Sequence, residues 1–111
     1  MIVVDGRART NYLKFPNAYT LLLPERAGKG ERMPFVLCLH DLGQDRWQCL
    51  REMDAQELVE RLGIALVLPD GRYSCFLNMA HGPRWNDYLG QELPAQLCHT
   101  FALDRKKTGV L

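Results

Sequence analysis

The sequence predicts an α/β fold, a mixed and mainly parallel sheet with helices on its faces. Three observations predict it. Phe35–Leu39 and Ile64–Leu68 are unbroken apolar runs, and a short apolar run beside a turn is the mark of a strand buried on both faces. Between them, Leu50, Met53, Leu58, Val59 and Leu62 recur at helical spacing. Each run ends in turn formers, His40-Asp41-Leu42-Gly43 after the first and Pro69-Asp70-Gly71 after the second. Strand, helix, strand with short connections is a βαβ unit with parallel pairing and a right-handed crossover. In such sheets a ligand sits outside the carboxyl ends of the strands, so chemistry is expected at the loop His40 to Gly43.

Each further element has its own reason. Residues 1–4 are a short apolar run, closed by the turn signal Asp5-Gly6. Tyr19–Leu23 is a second strand, stopped by Pro24, and pairs with the first as a hairpin or meander. Residues 27–32 form a polar, glycine-rich connection into the central strand Phe35–Leu39. The helix over 50–62 carries Arg51, Glu52, Glu57, Glu60 and Arg61 mostly on its outer side, and Gly63 ends it at the C′ position. Residues 72–83 show no period and read as loop. Trp85, Tyr88, Leu89, Leu93, Leu97 and Phe101 follow helical spacing, with Pro94 inside the pattern. Proline removes a helical hydrogen bond and frees the Gly90 carbonyl, so a kink or a late helix start is expected. Asp104–Lys107 reads as a polar turn, and Thr108–Leu111 as the start of a third apolar run. A strand there would leave an apolar edge, so the sequence reads as the front half of something longer, a single partial domain over 1–111.

Composition narrows the class. The chain has 111 residues, 47% hydrophobic and 24% charged, with net charge +1 and no strong basic patch. Arg105-Lys106-Lys107 is the one basic cluster, read as a solvated turn, so neither nucleic acid nor a membrane surface is expected as partner. No apolar run approaches the roughly 20 residues of a membrane span, and no secretory leader is visible. Cys38, Cys49, Cys75 and Cys98 form no C-x-x-C pair and no zinc-ligand spacing with the histidines. They read as reduced thiols, with cytoplasm as the expected location and no metal. Neither G-x-G-x-x-G after a strand nor G-x-x-x-x-G-K-[ST] occurs, which removes support for a nucleotide-binding domain.

The order of motifs is more telling than any one of them. After the apolar strand come His40-Asp41-Leu42-Gly43, a helix, Val67-Leu68-Pro69-Asp70 and an aromatic-rich loop. Trp85-Asn86-Asp87-Tyr88, Glu92-Leu93-Pro94 and a basic turn into Gly109-Val110-Leu111 follow. Over roughly residues 17 to 111 this resembles the α/β-hydrolase superfamily, most closely the esterase group that includes esterase D (S-formylglutathione hydrolase) and tributyrin esterase. The resemblance implies ester or thioester hydrolysis by a serine nucleophile, on small acyl esters or thioesters, with no cofactor. In that family a G-x-S-x-G nucleophile elbow follows such a strand, and the triad runs Ser, then Asp or Glu, then His. The resemblance therefore implies that the triad is absent from 1–111 and that this stretch alone is inactive. His40, His81 and His99 all come too early to be the triad base.

What the resemblance assigns is the oxyanion loop. The backbone N–H of Leu42 is the implied donor, with His40, Asp41 and Gly43 shaping the loop. Asp41 stands where the family usually has glycine. Tyr73, Phe76 and Trp85 are implied walls of an acyl pocket, against the plain alternative of core packing. Ser74-Cys75 has no marked base beside it, Asp70 reads as a turn former with Gly71, and Asp87 as a helix-start residue. The alternative from another class is a non-catalytic, hydrolase-like module that binds through its exposed last strand, with self-association through the same edge.

Overall fold

A computed structural model of the chain describes residues 1–13, 15–25, 32–41, 43–71 and 85–110. Its strands are β1 (Ile2–Ala8), β2 (Asn17–Leu23), β3 (Met33–Leu37), β4 (Ala65–Pro69) and β5 (Leu103–Val110). They form one five-stranded sheet in the order β1-β2-β4-β3-β5. The sheet is mixed as expected: β1 and β2 are antiparallel, β2 and β4 are antiparallel, and β3 lies parallel to both β4 and β5.

Strand period explains why the apolar runs are continuous. Successive side chains alternate between the two faces of a sheet. Leu21, Leu23, Phe35, Leu37, Ala65 and Val67 point to one face, while Leu22, Leu66 and Leu68 point to the other. Helix α2 (Ala55–Leu62) covers the second face with Ala55 and Val59. The first face is covered by α3 (Trp85–Asp87), a π-helical turn (Tyr88–Glu92) and α4 (Leu93–Thr100), through Trp85, Tyr88, Leu89, Leu93 and Leu97. Both faces must be apolar, so the runs cannot alternate.

Several expected boundaries move, each for a local reason. Asp5-Gly6 does not turn; β1 runs through it. Gly6 lies opposite Tyr19, and a Cβ there would stand 2.6 Å from the tyrosine ring, so the glycine makes room for the ring. The helix expected over 50–62 is two helices, α1 (Gln48–Glu52) and α2. The break is Asp54, whose carboxylate accepts from Glu57 N at 3.1 Å as the N-cap of α2. Gly63 closes α2 with φ 63°, its N–H on Val59 O, as the sequence predicts.

Asp104–Lys107 is not a turn ahead of the last strand but lies within β5. Met33 pairs with Leu103 and Phe35 with Thr108, so the residues between them on β5 face only Pro34. Pro34 has no N–H for the ladder, and the excess residues bulge there. The turn chemistry survives inside the bulge: Lys106 N donates to Asp104 Oδ1 at 3.0 Å and Thr108 Oγ1 to Arg105 O at 2.8 Å. The central strand is shifted to Met33–Leu37, with Cys38 N still donating to Val67 O at 2.8 Å.

Pro94 acts as anticipated. The helix starts anew as α4 with proline in its first turn, after a π turn in which Leu93 N donates to Tyr88 O. The carbonyls left at the break are taken by Arg105, which donates to Gln91 O at 3.0 Å and Gly90 O at 3.1 Å. Arg105 is thus no idle member of a solvated cluster.

Candidate functional site

β3 and β4 are parallel, so their carboxyl ends lie side by side. The loop after β3 and the Asp70-Gly71 corner after β4 therefore meet at one rim of the sheet. His40 joins them. Its ring is buried, Gly71 N donates to Nε2 at 2.8 Å, and Nδ1 lies 2.9 Å from Asp41 O. A ring nitrogen that accepts from an N–H carries no proton, which places the proton on Nδ1, donating to Asp41 O. Asp70 Oδ1 stands 3.7 Å from the same Nε2. His40 thus links two loops in the way a structural imidazole does.

The turn itself begins at Asp41. Gln44 N donates to Asp41 O at 3.0 Å, and Gly43 has φ 81°, a left-handed value that glycine adopts without strain. Nothing lies within 4 Å of where a Gly43 Cβ would be, so glycine is needed here for its backbone and not for space. Gln48, at the start of α1, holds the turn from behind. Its Oε1 accepts from Asp41 N at 2.7 Å and its Nε2 donates to Asp41 Oδ2 at 2.7 Å. The carboxylate of Asp41 is therefore drawn back onto α1.

A second set of contacts ties the rim to the antiparallel strands. Arg46 donates from Nε to Thr20 Oγ1 at 3.1 Å and from Nη1 to Asp70 Oδ2 at 3.2 Å, and its guanidinium lies 4.7 Å from the centre of the Trp47 ring. Thr20 Oγ1 in turn donates to Asp5 Oδ1 on β1 at 2.6 Å. Asn17 Nδ2 donates to Asp70 O at 2.6 Å. On the outer side of the loop, Arg51 binds Asp45 at 3.1 Å and Gln44 Oε1 at 2.8 Å. Desolvation alone would raise the Asp45 carboxyl, but hydrogen bonds from Arg51 and Trp47 N outweigh it and hold the group below its ordinary value.

The structure brings His40, Asp41 and Gly43 together. Leu42, the implied donor, lies outside the described residues, as do Tyr73, Phe76, Ser74, Cys75 and His81. Trp85 is 1% exposed and packs against Phe15 and Tyr88, with ring centres 5.8 and 6.2 Å away, among the core residues of its face. His99 sits in the last turn of α4. Sequence reasoning missed Gln48, Arg46 and Thr20. A glutamine in the first turn of a helix, just after a tight turn, is the signal for Gln48; the others depend on strand order and carry none. Among the described residues no group of three or more His, Cys, Asp or Glu side chains is placed to hold a metal, and no helix is long and apolar enough to cross a membrane.

No family model and no curated protein matches the sequence. Solved structures do match its fold. A fluorophosphonate-binding serine hydrolase of Staphylococcus aureus, substrate bound, superposes with a TM-score of 0.85 at 19% identity, over 98% of this chain and 46% of its own. An S-formylglutathione hydrolase of Agrobacterium tumefaciens gives 0.85 at 19% identity, over 97% and 47%. A ferulic acid esterase of Anaeromyces mucronatus gives 0.70 at 14% identity, over 98% and 47%. The chain spans about half the length of these proteins. Strand order, the tight turn at the carboxyl end of β3 and these superpositions together give the chain the α/β-hydrolase fold of the esterase-type serine hydrolases, over about half of their length.

Proposed function

We propose that residues 1–111 are the oxyanion-loop half of a serine hydrolase acting on small carboxylic esters or thioesters. The observation that carries this is the Asp41–Gln44 turn, with Gly43 at φ 81°, clamped by Gln48 and by His40 at the end of a central parallel strand. Acyl transfer needs backbone N–H groups fixed where charge develops on the carbonyl oxygen, each worth about 2.7–4 kcal/mol. A turn anchored at Asp41 by two side chains, Gln48 and His40, meets that demand for rigidity. The reading takes Leu42 N–H as the first donor, and assigns the nucleophile, the second donor and the rest of the triad to residues other than 1–111. No cofactor is required, and reduced thiols fit a cytoplasmic location.

On this reading 1–111 alone gives neither burst nor turnover with p-nitrophenyl butyrate, and serine-dependent turnover by it would overturn the assignment of the triad elsewhere. The loop is tested in a chimera, in which 1–111 replaces the matching portion of the Agrobacterium tumefaciens hydrolase. A folded chimera that hydrolyses the ester supports the loop. A folded, inactive one that Asp41→Gly does not rescue counts against it.

A second reading has its own observation. β5 pairs with β3 along one side, and Val110 near its end is 67% exposed. Among the described residues no strand pairs with the other side of β5, and such an edge accepts another strand by β-augmentation, which suits a non-catalytic binding module. A defined partner bound by a cooperatively folded, monomeric 1–111 would favour it.

A further inference from the structure

His40 joins the two loops of the rim through opposite ring nitrogens, and the two bonds differ in what a proton does to them. Nδ1 donates to Asp41 O at 2.9 Å, and protonation of the ring leaves that bond in place. Nε2 accepts from Gly71 N at 2.8 Å, which it can do only while it carries no proton. In the imidazolium both nitrogens are donors, so Nε2–H would face the Gly71 N–H donor to donor. A carboxylate stands beside the amide. Asp70 Oδ1 is 3.7 Å from Nε2, outside hydrogen-bond distance, while Asp70 Oδ2 accepts from Arg46 Nη1 at 3.2 Å. The His40 side chain is 2% exposed, so a protein acceptor and not bulk water must take a new N–H. The other charged groups described around the ring are Arg46 itself, Asp41 and Glu52, which accept from Gln48, and Asp45, which accepts from Arg51.

We propose that His40 is a proton-operated latch between the turn after β3 and the Asp70-Gly71 corner after β4. Neutral, it ties the turn to the Gly71 amide. On taking one proton from solvent at Nε2, it releases that amide and donates to Asp70 Oδ1, while Nδ1 keeps its hold on Asp41. The step needs only that the carboxylate close from 3.7 Å to about 2.8 Å, the length of a charge-assisted hydrogen bond. Asp70 is shared with Arg46, and Arg46 with Thr20, so the same step reaches the bracing of the rim from β2. The turn and the β4 corner are thus coupled at one protonation state of a single ring and uncoupled at the other. The latch stands whether or not the chain serves a hydrolase.

Nuclear magnetic resonance of the chain tests each part of the latch. At neutral pH, long-range proton–nitrogen correlation should show His40 Nε2 without a proton. Between about pH 8 and 5, where imidazoles ordinarily titrate, Nε2 should take up its proton, and the protection factor of the Gly71 amide should fall severalfold with it. The Cys38 amide, bonded to Val67 O at 2.8 Å, is the control and should keep its protection. Two variants separate a latch from a merely structural imidazole. Asp70→Asn removes the negative acceptor and should move the His40 midpoint to lower pH. Arg46→Gln removes the cation that competes for Asp70 and should move it to higher pH. Gly71 protection that follows Cys38 through the titration overturns the proposal. So do a proton on Nε2 at neutral pH, two variants that leave the midpoint unmoved or shift it the same way, and a His40 that protonates only as the chain unfolds.

Discussion

Gln48 holds the turn from outside it. One side chain satisfies both the N–H and the carboxylate of Asp41, at 2.7 Å each. Gln48→Ala leaves both to water, and because Asp41 is exposed the expected loss is at the low end for a hydrogen-bonded pair, about 1 kcal/mol in urea unfolding. Gln48→Glu should cost more at neutral pH, since it sets a third carboxylate beside Asp41 and Glu52. An equal loss in both variants would show that the clamp is packing and not hydrogen bonding. A second residue-scale prediction concerns pH. Burial pushes the Cys38 thiol up to about 12, with contact to Cys49 adding to the rise. A group whose folded value lies above its unfolded value stabilises fully below the unfolded value and loses that contribution as pH rises toward the folded one. Under reducing conditions, the stability gap between wild type and Cys38→Ala should stay constant below pH 9 and shrink from there toward pH 12. A gap that is flat over that window would mean the thiol is not enclosed in solution.

At the scale of elements, the legible features were those written in local chemistry. The central strands β3 and β4 and Gly63 could be read because burial on two faces and a left-handed C′ position demand particular residues. Asp54-x-x-Glu57 is an N-cap pattern, so the break between α1 and α2 was readable in principle; the helical spacing of Leu50, Met53, Leu58 and Val59 across it masked the cap. The bulge in β5 was not readable, because it depends on Pro34 of β3 lying opposite, and register is a property of two strands. Arg105 links these elements, since it leaves the bulge to serve the carbonyls that Pro94 and the π turn expose. Arg105→Ala should lower stability by about 1 kcal/mol, below the usual value for charged donors because the contacts are exposed. Hydrogen exchange should quicken at the π turn and little elsewhere. Arg105→Lys, with one donor group in place of a fork, should recover only part. Unchanged exchange at Tyr88–Leu93 in Arg105→Ala would remove the arginine from the account of that break.

At the scale of the molecule, the sequence pointed to the candidate site as a place and not as a set of atoms. A parallel βαβ unit puts its chemistry at the carboxyl ends, which was enough to point to His40–Gly43. The arginine, threonine and asparagine that brace this rim come from β2 and the loop before α1, and only the strand order β1-β2-β4-β3-β5 brings them there. Among the described residues the same order leaves β1 and β5 at the edges, and they are unlike. β1 exposes Ile2 and Val3 at 44% and 48%, but it ends in an ion pair between the N-terminal ammonium and Glu60 at 3.0 Å. β5 is longer and carries Val110 at 67% exposure, while its charges, Asp104 to Lys106, are gathered in the bulge. Charge and irregularity protect an edge against pairing, and a regular apolar stretch invites it. Self-association of 1–111 should therefore run through residues 108–110 of β5. Val110→Lys is expected to lower the association measured by light scattering severalfold while leaving far-UV circular dichroism unchanged. Val3→Lys is expected to do neither. The reverse pattern would move the sticky edge to β1 and would count equally against the binding reading based on β5.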